Sequence, residues 1–241
     1  IVRSDYIINS NTKCKSRLYA KEIPIFSSLS EHELEEILNT IDHYCFKKDD
    51  IICLEGYALS KLIIISNGTI KLSKSTYEGK EQIIHILSVG EFFGELSLFN
   101  DNYITNFSAV AVNNVHICVI SKSNMDRILS KNPHITLKIL NEVSKRLMET
   151  ENLAACLATN DVDHRIICMI LEFVDKYGVN KNGVIHVDIP LNREGMASYC
   201  GITRETISRK LSKFEQDGLF EFESMKKLIV KDLEKMKNFM N

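Results

Sequence analysis

Apolar residues change their period several times along the 241-residue chain. Leu34, Ile37, Leu38 and Ile41 recur at helical steps behind Ser30-Glu-His-Glu33, whose serine and glutamate are spaced as a capping box, so a short helix opens the first domain. From Asp50 to Ile120 the runs become short and β-rich: Ile51–Leu54, Leu62–Ile65, Ile70 with Leu72, Ile83–Leu87, Phe107–Val112 and Val115–Ile120. Turn signals separate them at Asn67-Gly68, Glu78-Gly79, Gly90-Glu91 and Asn113-Asn114. Short strands at this spacing predict a compact antiparallel barrel or roll.

Helical periodicity returns at Pro133, a favourable first-turn residue, and runs to about Thr159. Leu140, Val143, Leu147, Thr150, Ala154, Leu157 and Asp161 repeat at alternating steps of three and four, a heptad seam that predicts a partner helix from a second copy of the chain. The alternative is that this face packs on the chain's own roll. Thr159-Asn160-Asp161 breaks the pattern and reads as a hinge before a helix carrying Ile166, Ile167, Ile170, Leu171 and Val174. A strand over Val184–Ile189 then leads through Pro190 into the most informative segment.

Residues 193–212 read as a helix, a tight turn and a second helix. Two helices crossing steeply need a small residue at the crossing, a turn residue tolerant of positive φ and an apolar clamp, and Ala197, Gly201 and Ile207 supply these. Thr203 can cap the second helix, and Glu205 in its first turn suits the helix dipole. Arg204, Glu205, Ser208 and Arg209 share one face of its N-terminal half, the part of a recognition helix that enters the major groove. Arg can pair with guanine O6 and N7, and Glu can accept from cytosine N4. Arg193, Thr206, Lys210 and Lys213 complete the expected contact set. Leu219–Phe222 and Leu228–Val230 flank Ser224-Met-Lys-Lys227 as a β-hairpin wing, with Lys227 placed to reach phosphate.

Composition adds little to this picture. Net charge is −2, and the chain from Val162 onward holds 13 Lys and Arg against 12 Asp and Glu, so charge alone does not mark the DNA surface. No apolar run approaches the roughly 20 residues of a membrane span, and Ile1-Val-Arg-Ser-Asp lacks the apolar core of a secretory signal, which predicts a cytoplasmic protein without a membrane partner. The chain begins with Ile1 rather than Met, so native residues are expected before it. Seven cysteines without close pairs fit reduced thiols better than a disulfide framework. No Ser-His-Asp arrangement, metal-ligand cluster or Gly-rich phosphate loop stands out, and the chain is not expected to be an enzyme.

Roll, long helix and winged helix-turn-helix together resemble the Crp-Fnr family of bacterial transcription regulators, over about Ile23 to Val230. The sharpest pieces are Gly94-Glu-Leu-Ser-Leu-Phe99, Asp161-Val-Asp-His-Arg-Ile166 and Gly201-Ile-Thr-Arg-Glu-Thr-Ile-Ser-Arg209. The resemblance implies an α+β chain: a cyclic-nucleotide-binding-like β-roll (a double-stranded β-helix) over 1–130 that senses an effector, a dimerisation helix and hinge over 131–161, and a winged helix-turn-helix over 162–241. It implies a homodimer on double-stranded DNA, with RNA polymerase as a further partner. Ser208 beside Arg209 looks more like the oxygen-sensor branch, where Glu205, Ser208 and Arg209 would read a TTGA-like half-site.

The signal is less legible. By resemblance, Glu95, Leu96 and Ser97, with Ser108, stand where relatives hold the ribose and phosphate of cyclic AMP, and Thr150 and Glu151 stand where their long helix meets the adenine. Phe107 occupies the place of the phosphate-binding arginine, and no Lys or Arg lies between Lys80 and Lys122. A buried cyclic phosphate would lack compensation, so no useful cyclic AMP affinity is expected. An iron-sulfur cluster is not expected either, because only Cys14 lies near the N-terminus while Cys45, Cys53 and Cys118 are scattered. Cys53, Cys118, Cys168 and Cys200 sit in apolar runs and read as small buried hydrophobes, leaving Cys14 and Cys45 as redox candidates. Haem is an alternative, with His85 or His116 as ligand and Phe92, Phe93, Phe99, Tyr103 and Phe107 around it. A small-molecule-binding protein with weak DNA affinity is the remaining alternative.

Overall fold

The computed structural model describes residues 23–26, 29–159 and 161–238, so Cys14 and Asn160 lie outside the described residues. The chain divides into two units, Ile1–Ser75 with Ile84–Met148, and Thr76–Ile83 with Glu149–Asn241.

In the first unit a 3-10 turn at Pro24–Phe26 precedes α1 (Glu31–Leu38). The expected capping box forms: the Ser30 backbone N–H donates to Glu33 Oε2 at 2.8 Å, and the Glu33 N–H donates to Ser30 Oγ at 3.4 Å. The strands β1 (Asp42–Phe46), β2 (Ile51–Cys53), β3 (Lys61–Asn67), β4 (Ile70–Ser75), β5 (Glu81–Leu87), β6 (Phe92–Phe93), β7 (Ser108–Ala111) and β8 (Val115–Ser121) build two antiparallel sheets, ordered β1-β8-β3-β6 and β2-β7-β4-β5. A short α2 (Leu96–Phe99) follows β6, α3 (Lys122–Lys131) follows β8, and α4 (Pro133–Ala158) starts at the proline as expected. At about 1.5 Å per residue, α4 is roughly 39 Å long.

Leu62-Ile-Ile-Ile65 lacks alternation because β3 is covered on both faces. Leu62 and Ile64 join a cluster with Phe26, Ile37, Met125, Ile128, Ile135 and Ile139. Ile63 and Ile65 point the other way, into the roll, with Phe46, Ile52, Ile70, Leu72 and Phe107. Two elements here carry no strong sequence pattern. The strand β1 is polar in three of its first four residues, Asp42, His43 and Tyr44, and is recruited by antiparallel pairing with β8 from Asp42↔Val119 to Phe46↔Val115. The helix α3 buries only Met125 and Ile128 and is capped by Ser121.

The second unit carries the end of α4, then α5 (Val162–Tyr177), β9 (Gly178–Lys181), β10 (Val184–Asp188), α6 (Arg193–Cys200), α7 (Arg204–Gln216), β11 (Glu221–Ser224), β12 (Lys227–Val230) and α8 (Leu233–Asn238). Its sheet is ordered β11-β12-β10-β9. Two expectations shift. Leu219 and Phe220 are buried core ahead of the wing, which starts only at Glu221, because the apolar pair fills the space under α7 rather than continuing the strand. The edge strand β9, with Val179 and Asn180 exposed, pairs with β10 across an Asn182-Gly183 turn and has no buried face to mark it in the sequence.

Cysteine usage also differs from expectation. Cys156 and Cys168 form a disulfide, with Cα atoms 6.8 Å apart, so Cys168 is half-buried and bonded rather than a buried free thiol. Two residues 12 apart in sequence become neighbours because the chain reverses between α4 and α5. The buried-hydrophobe reading holds for three others: burial pushes the Cys53 and Cys200 thiols up to about 12 and Cys118 up to about 11. Alkylation of the native protein at about pH 8 is therefore expected to label half-buried Cys45 and spare these three, as read by peptide mass spectrometry. Fast labelling of Cys200 would contradict this.

Candidate nucleic-acid interface and effector pocket

Helix α6 is capped by Asn192, whose Oδ1 accepts from Gly195 N at 2.8 Å, and it ends at Gly201 in the left-handed region, φ 63°. Gly201 thus provides the positive φ that an L side chain resists. Thr203 then caps α7, accepting from Thr206 N at 3.3 Å. Ile207, Leu211 and Phe214 bury one face of α7, and Ala197 is buried beneath the crossing. That orientation leaves Thr203, Arg204, Glu205, Arg209 and Lys213 exposed, with Thr206 and Ser208 half-buried beside them.

Two residues expected to touch DNA are committed elsewhere. The Arg193 guanidinium stacks 4.2 Å from the centroid of the Phe222 ring, and burial holds its pKa below the usual arginine value. It fastens α6 to the wing. Lys210 pairs with Asp163 Oδ1 at 2.6 Å, both side chains largely covered, and ties α7 to α5. Lys227 is exposed on the wing, 4.0 Å from the Glu223 carboxylate. Such an exposed pair costs little to open toward phosphate.

The Asp161–Ile166 motif acquires a mechanical role. Asp161 caps α5 by accepting from Asp163 N and His164 N, Asp163 holds Lys210, and Arg165 Nη1 donates to the Cys200 carbonyl at 3.0 Å. Tyr199 donates its hydroxyl to Glu172, and burial pushes the pKa values of both groups up. Polar bonds from the last turn of α6 and from Lys210 on α7 therefore bind the helix-turn-helix to α5.

In the roll, Gly94 has φ +89°, and a Cβ there would stand 2.3 Å from the Lys61 carbonyl oxygen. This close approach delivers Glu95 to a buried position. Sequence reasoning missed its partner. Arg146, on α4, donates through Nη1 to Glu95 Oε1 at 2.9 Å, through Nη2 to the Phe92 carbonyl, and sits 5.6 Å from the Phe92 ring centroid. The segment between Lys80 and Lys122 does lack a cation, but the fold imports one from 51 residues downstream.

The other expected pocket residues hold contacts of their own or stand exposed. Phe107 is core, edge-on to Phe93 at 6.0 Å, and Ser97 Oγ donates to the Gly94 carbonyl at 2.7 Å. Ser108 Oγ accepts from Glu55 N at 3.1 Å, and Leu96 is 43% exposed. Thr150 and Glu151 are exposed and belong to the second unit. The aromatic set weighed for haem is likewise split. Phe92 joins one core cluster, Phe93, Phe107 and Tyr103 the other, and Phe99 is 63% exposed. His85 and His116 stand on β5 and β8, in different sheets.

On the seam of α4, Val143 packs against the chain's own core, as the alternative reading expected. Leu137, Leu140, Leu147 and Met148 remain 57–64% exposed. Further along, Ala154 is exposed and Leu157 half-buried. Among the described residues, no helix is long and apolar enough to cross a membrane.

A β-roll joined through a long helix to a winged helix-turn-helix defines a class of regulator that couples a sensor domain to a DNA-binding one. Comparison with known proteins agrees. Residues 45–132 match the cyclic nucleotide-binding domain, and residues 164–239 the Crp-like helix-turn-helix domain. The chain is 25% identical over 212 residues to a CRP-like cAMP-activated global transcriptional regulator of Mycobacterium tuberculosis, covering 88% of this chain and 94% of the relative. It is 24% identical over 208 residues to the anaerobic regulatory protein of Bacillus subtilis, covering 86% and 87%. Among solved structures, a CooA mutant from Carboxydothermus hydrogenoformans superposes with TM-score 0.77 at 20% identity, over 95% of this chain and 98% of that one. FixK2 from Bradyrhizobium japonicum gives 0.71 at 19%, over 82% and 96%. The chain belongs to the Crp-Fnr family of transcription regulators.

Proposed function

We propose that the chain acts as a homodimer that binds inverted-repeat, TTGA-like sites and regulates transcription through contact with RNA polymerase. One observation carries this reading: α7 buries Ile207, Leu211 and Phe214 and so turns Arg204, Glu205, Ser208 and Arg209 outward on the half that a recognition helix inserts in the major groove. Glu205, Ser208 and Arg209 read base edges, while Thr203, Arg204, Thr206, Lys213 and Lys227 position the backbone. The exposed leucines of α4 support the dimer, since an apolar stripe of this length on one helix is the half of a coiled-coil seam. Functionally the chain divides into a sensor over 1–130, a dimer helix and hinge over 131–161, and a reader over 162–241.

Cyclic AMP is not the signal in this proposal, although the Mycobacterium tuberculosis relative is named as cAMP-activated. Glu95 is already neutralised by Arg146, Phe107 is committed to the core, and the segment between Lys80 and Lys122 that carries Ser108 offers a cyclic phosphate no cation of its own. Whatever the signal is, it must favour one arrangement of the two units over another, because a ligand binding both equally shifts nothing.

Selection of bound fragments from the source genome is expected to return inverted TTGA-like repeats. Recovery without any shared two-fold motif would overturn the reading. Isothermal titration of the purified protein with cyclic AMP is expected to show no micromolar binding, and such binding would refute the assignment of the pocket.

A further inference from the structure

The reversal between α4 and α5 gathers three side chains that DNA recognition does not use. Cys156 stands in the last turn of α4, and His164 and Cys168 stand at i and i+4 on α5, so one face presents both. The two sulfurs and an imidazole nitrogen all lie within 4.8 Å of one another, and all three residues are half-buried. Asp161, accepting from the His164 backbone N–H at 3.4 Å, fixes the start of the helix that carries the histidine. Cys156 is off the Leu140–Asp161 seam, so dimerisation through that seam leaves it in place.

A disulfide accounts for the two sulfurs and gives the imidazole nothing to do. Two thiolates and one imidazole converging in a sheltered turn are the donor set of soft, tetrahedral divalent ions, with zinc–sulfur bonds of about 2.3 Å and zinc–nitrogen bonds of about 2.0–2.1 Å. Around such an ion, neighbouring donor atoms stand roughly 3.4–3.8 Å apart. Donor atoms within 4.8 Å of one another reach that spacing by small side-chain shifts once the reduced sulfurs separate.

We propose that Cys156, His164 and Cys168, in the dithiol state, bind one divalent cation of the zinc class, with the fourth position open to solvent or an added ligand. A thiol or phosphine reductant supplies two electrons, the S–S bond takes up two protons and becomes two thiols, and the oxidised reductant leaves. The ion then displaces both thiol protons to water, forming two metal–sulfur bonds and one bond to the neutral imidazole. Two thiolates neutralise the charge of the ion, so the half-buried turn gains no net charge. The ion fastens the end of α4 to α5 at a point remote from the roll.

The full chain, reduced anaerobically with a phosphine and desalted, is to be titrated with zinc against a chromophoric chelator, with cobalt(II) as a spectroscopic probe. One equivalent per chain and a thiolate-to-cobalt charge-transfer band are expected. Cys156→Ser or Cys168→Ser should weaken zinc more than about 100-fold, beyond the 10–100-fold typical of outer-shell losses, and His164→Ala at least about 10-fold. In the unmutated protein, zinc should protect Cys156 and Cys168 from alkylation while leaving Cys45 labelled, a readout independent of how the variants fold. A His164→Ala protein that binds as tightly as the original would overturn the site. So would reduced protein taking up no ion, cobalt without thiolate bands, or an S–S bond that persists through reduction. These measurements involve no DNA, so their failure leaves the proposed DNA reading intact.

Discussion

Replacing Arg146 with alanine is expected to cost the sensor unit about 3 kcal/mol, the low end for removing one partner of a buried ion pair. The Arg146 and Glu95 side chains keep only 15% and 11% exposure, so water cannot replace the lost guanidinium at Glu95. The Phe92 carbonyl loses a charge-assisted donor and the Phe92 ring loses its cation. Because the penalty is mostly that of a stranded carboxylate, Glu95→Gln in the same protein should recover a good part of it. Native-state hydrogen exchange at Phe92–Leu98 is the suitable measurement, since it reads the sensor unit without assuming that both units unfold together. Unchanged protection there in Arg146→Ala would show that the pair contributes little.

Arg209→Ala is expected to remove about 1–3 kcal/mol of discrimination at one base pair of each half-site, roughly a factor of 5 to 150 in relative affinity. The side chain is exposed, while neighbouring α7 is anchored by Ile207 and Leu211, so the substitution should leave folding intact. Lys227→Ala serves as the contrast. It should weaken all sequences about equally and lower the slope of log affinity against log salt by about one. Fluorescence anisotropy on matched and single-mismatch duplexes at several salt concentrations separates the two effects. A specificity profile unaltered by Arg209→Ala would remove Arg209 from the base-reading set, and with it the strongest support for a TTGA-like half-site.

How far these features were legible depended on whether their causes were local. The Ser30–Glu33 box, the proline start of α4, the Gly201 turn and the Thr203 cap are set by bonds within a few residues and stood in the sequence as they stand in the fold. The outward face of α7 followed from helical period plus the apolar clamp of Ile207, Leu211 and Phe214. Lys210 and Arg193 shared that neighbourhood in sequence, yet Asp163 and Phe222 claimed them, and a contact list drawn from one helix does not contain those partners.

By itself, then, the sequence determined the apolar strands of the roll, the long helix, the helix-turn-helix and the family, because caps, turns and periodicity act over one or two turns of chain. Tertiary structure decided where distant charges and sulfurs meet. Arg146 reaches Glu95 across 51 residues. Phe107 packs into the roll core against Phe93, 14 residues away in sequence. Cys156, His164 and Cys168 converge because α5 folds back beside the end of α4. None of these pairings lowers the free energy of its own segment, so none leaves a local pattern, and each appears only when packing has fixed both partners.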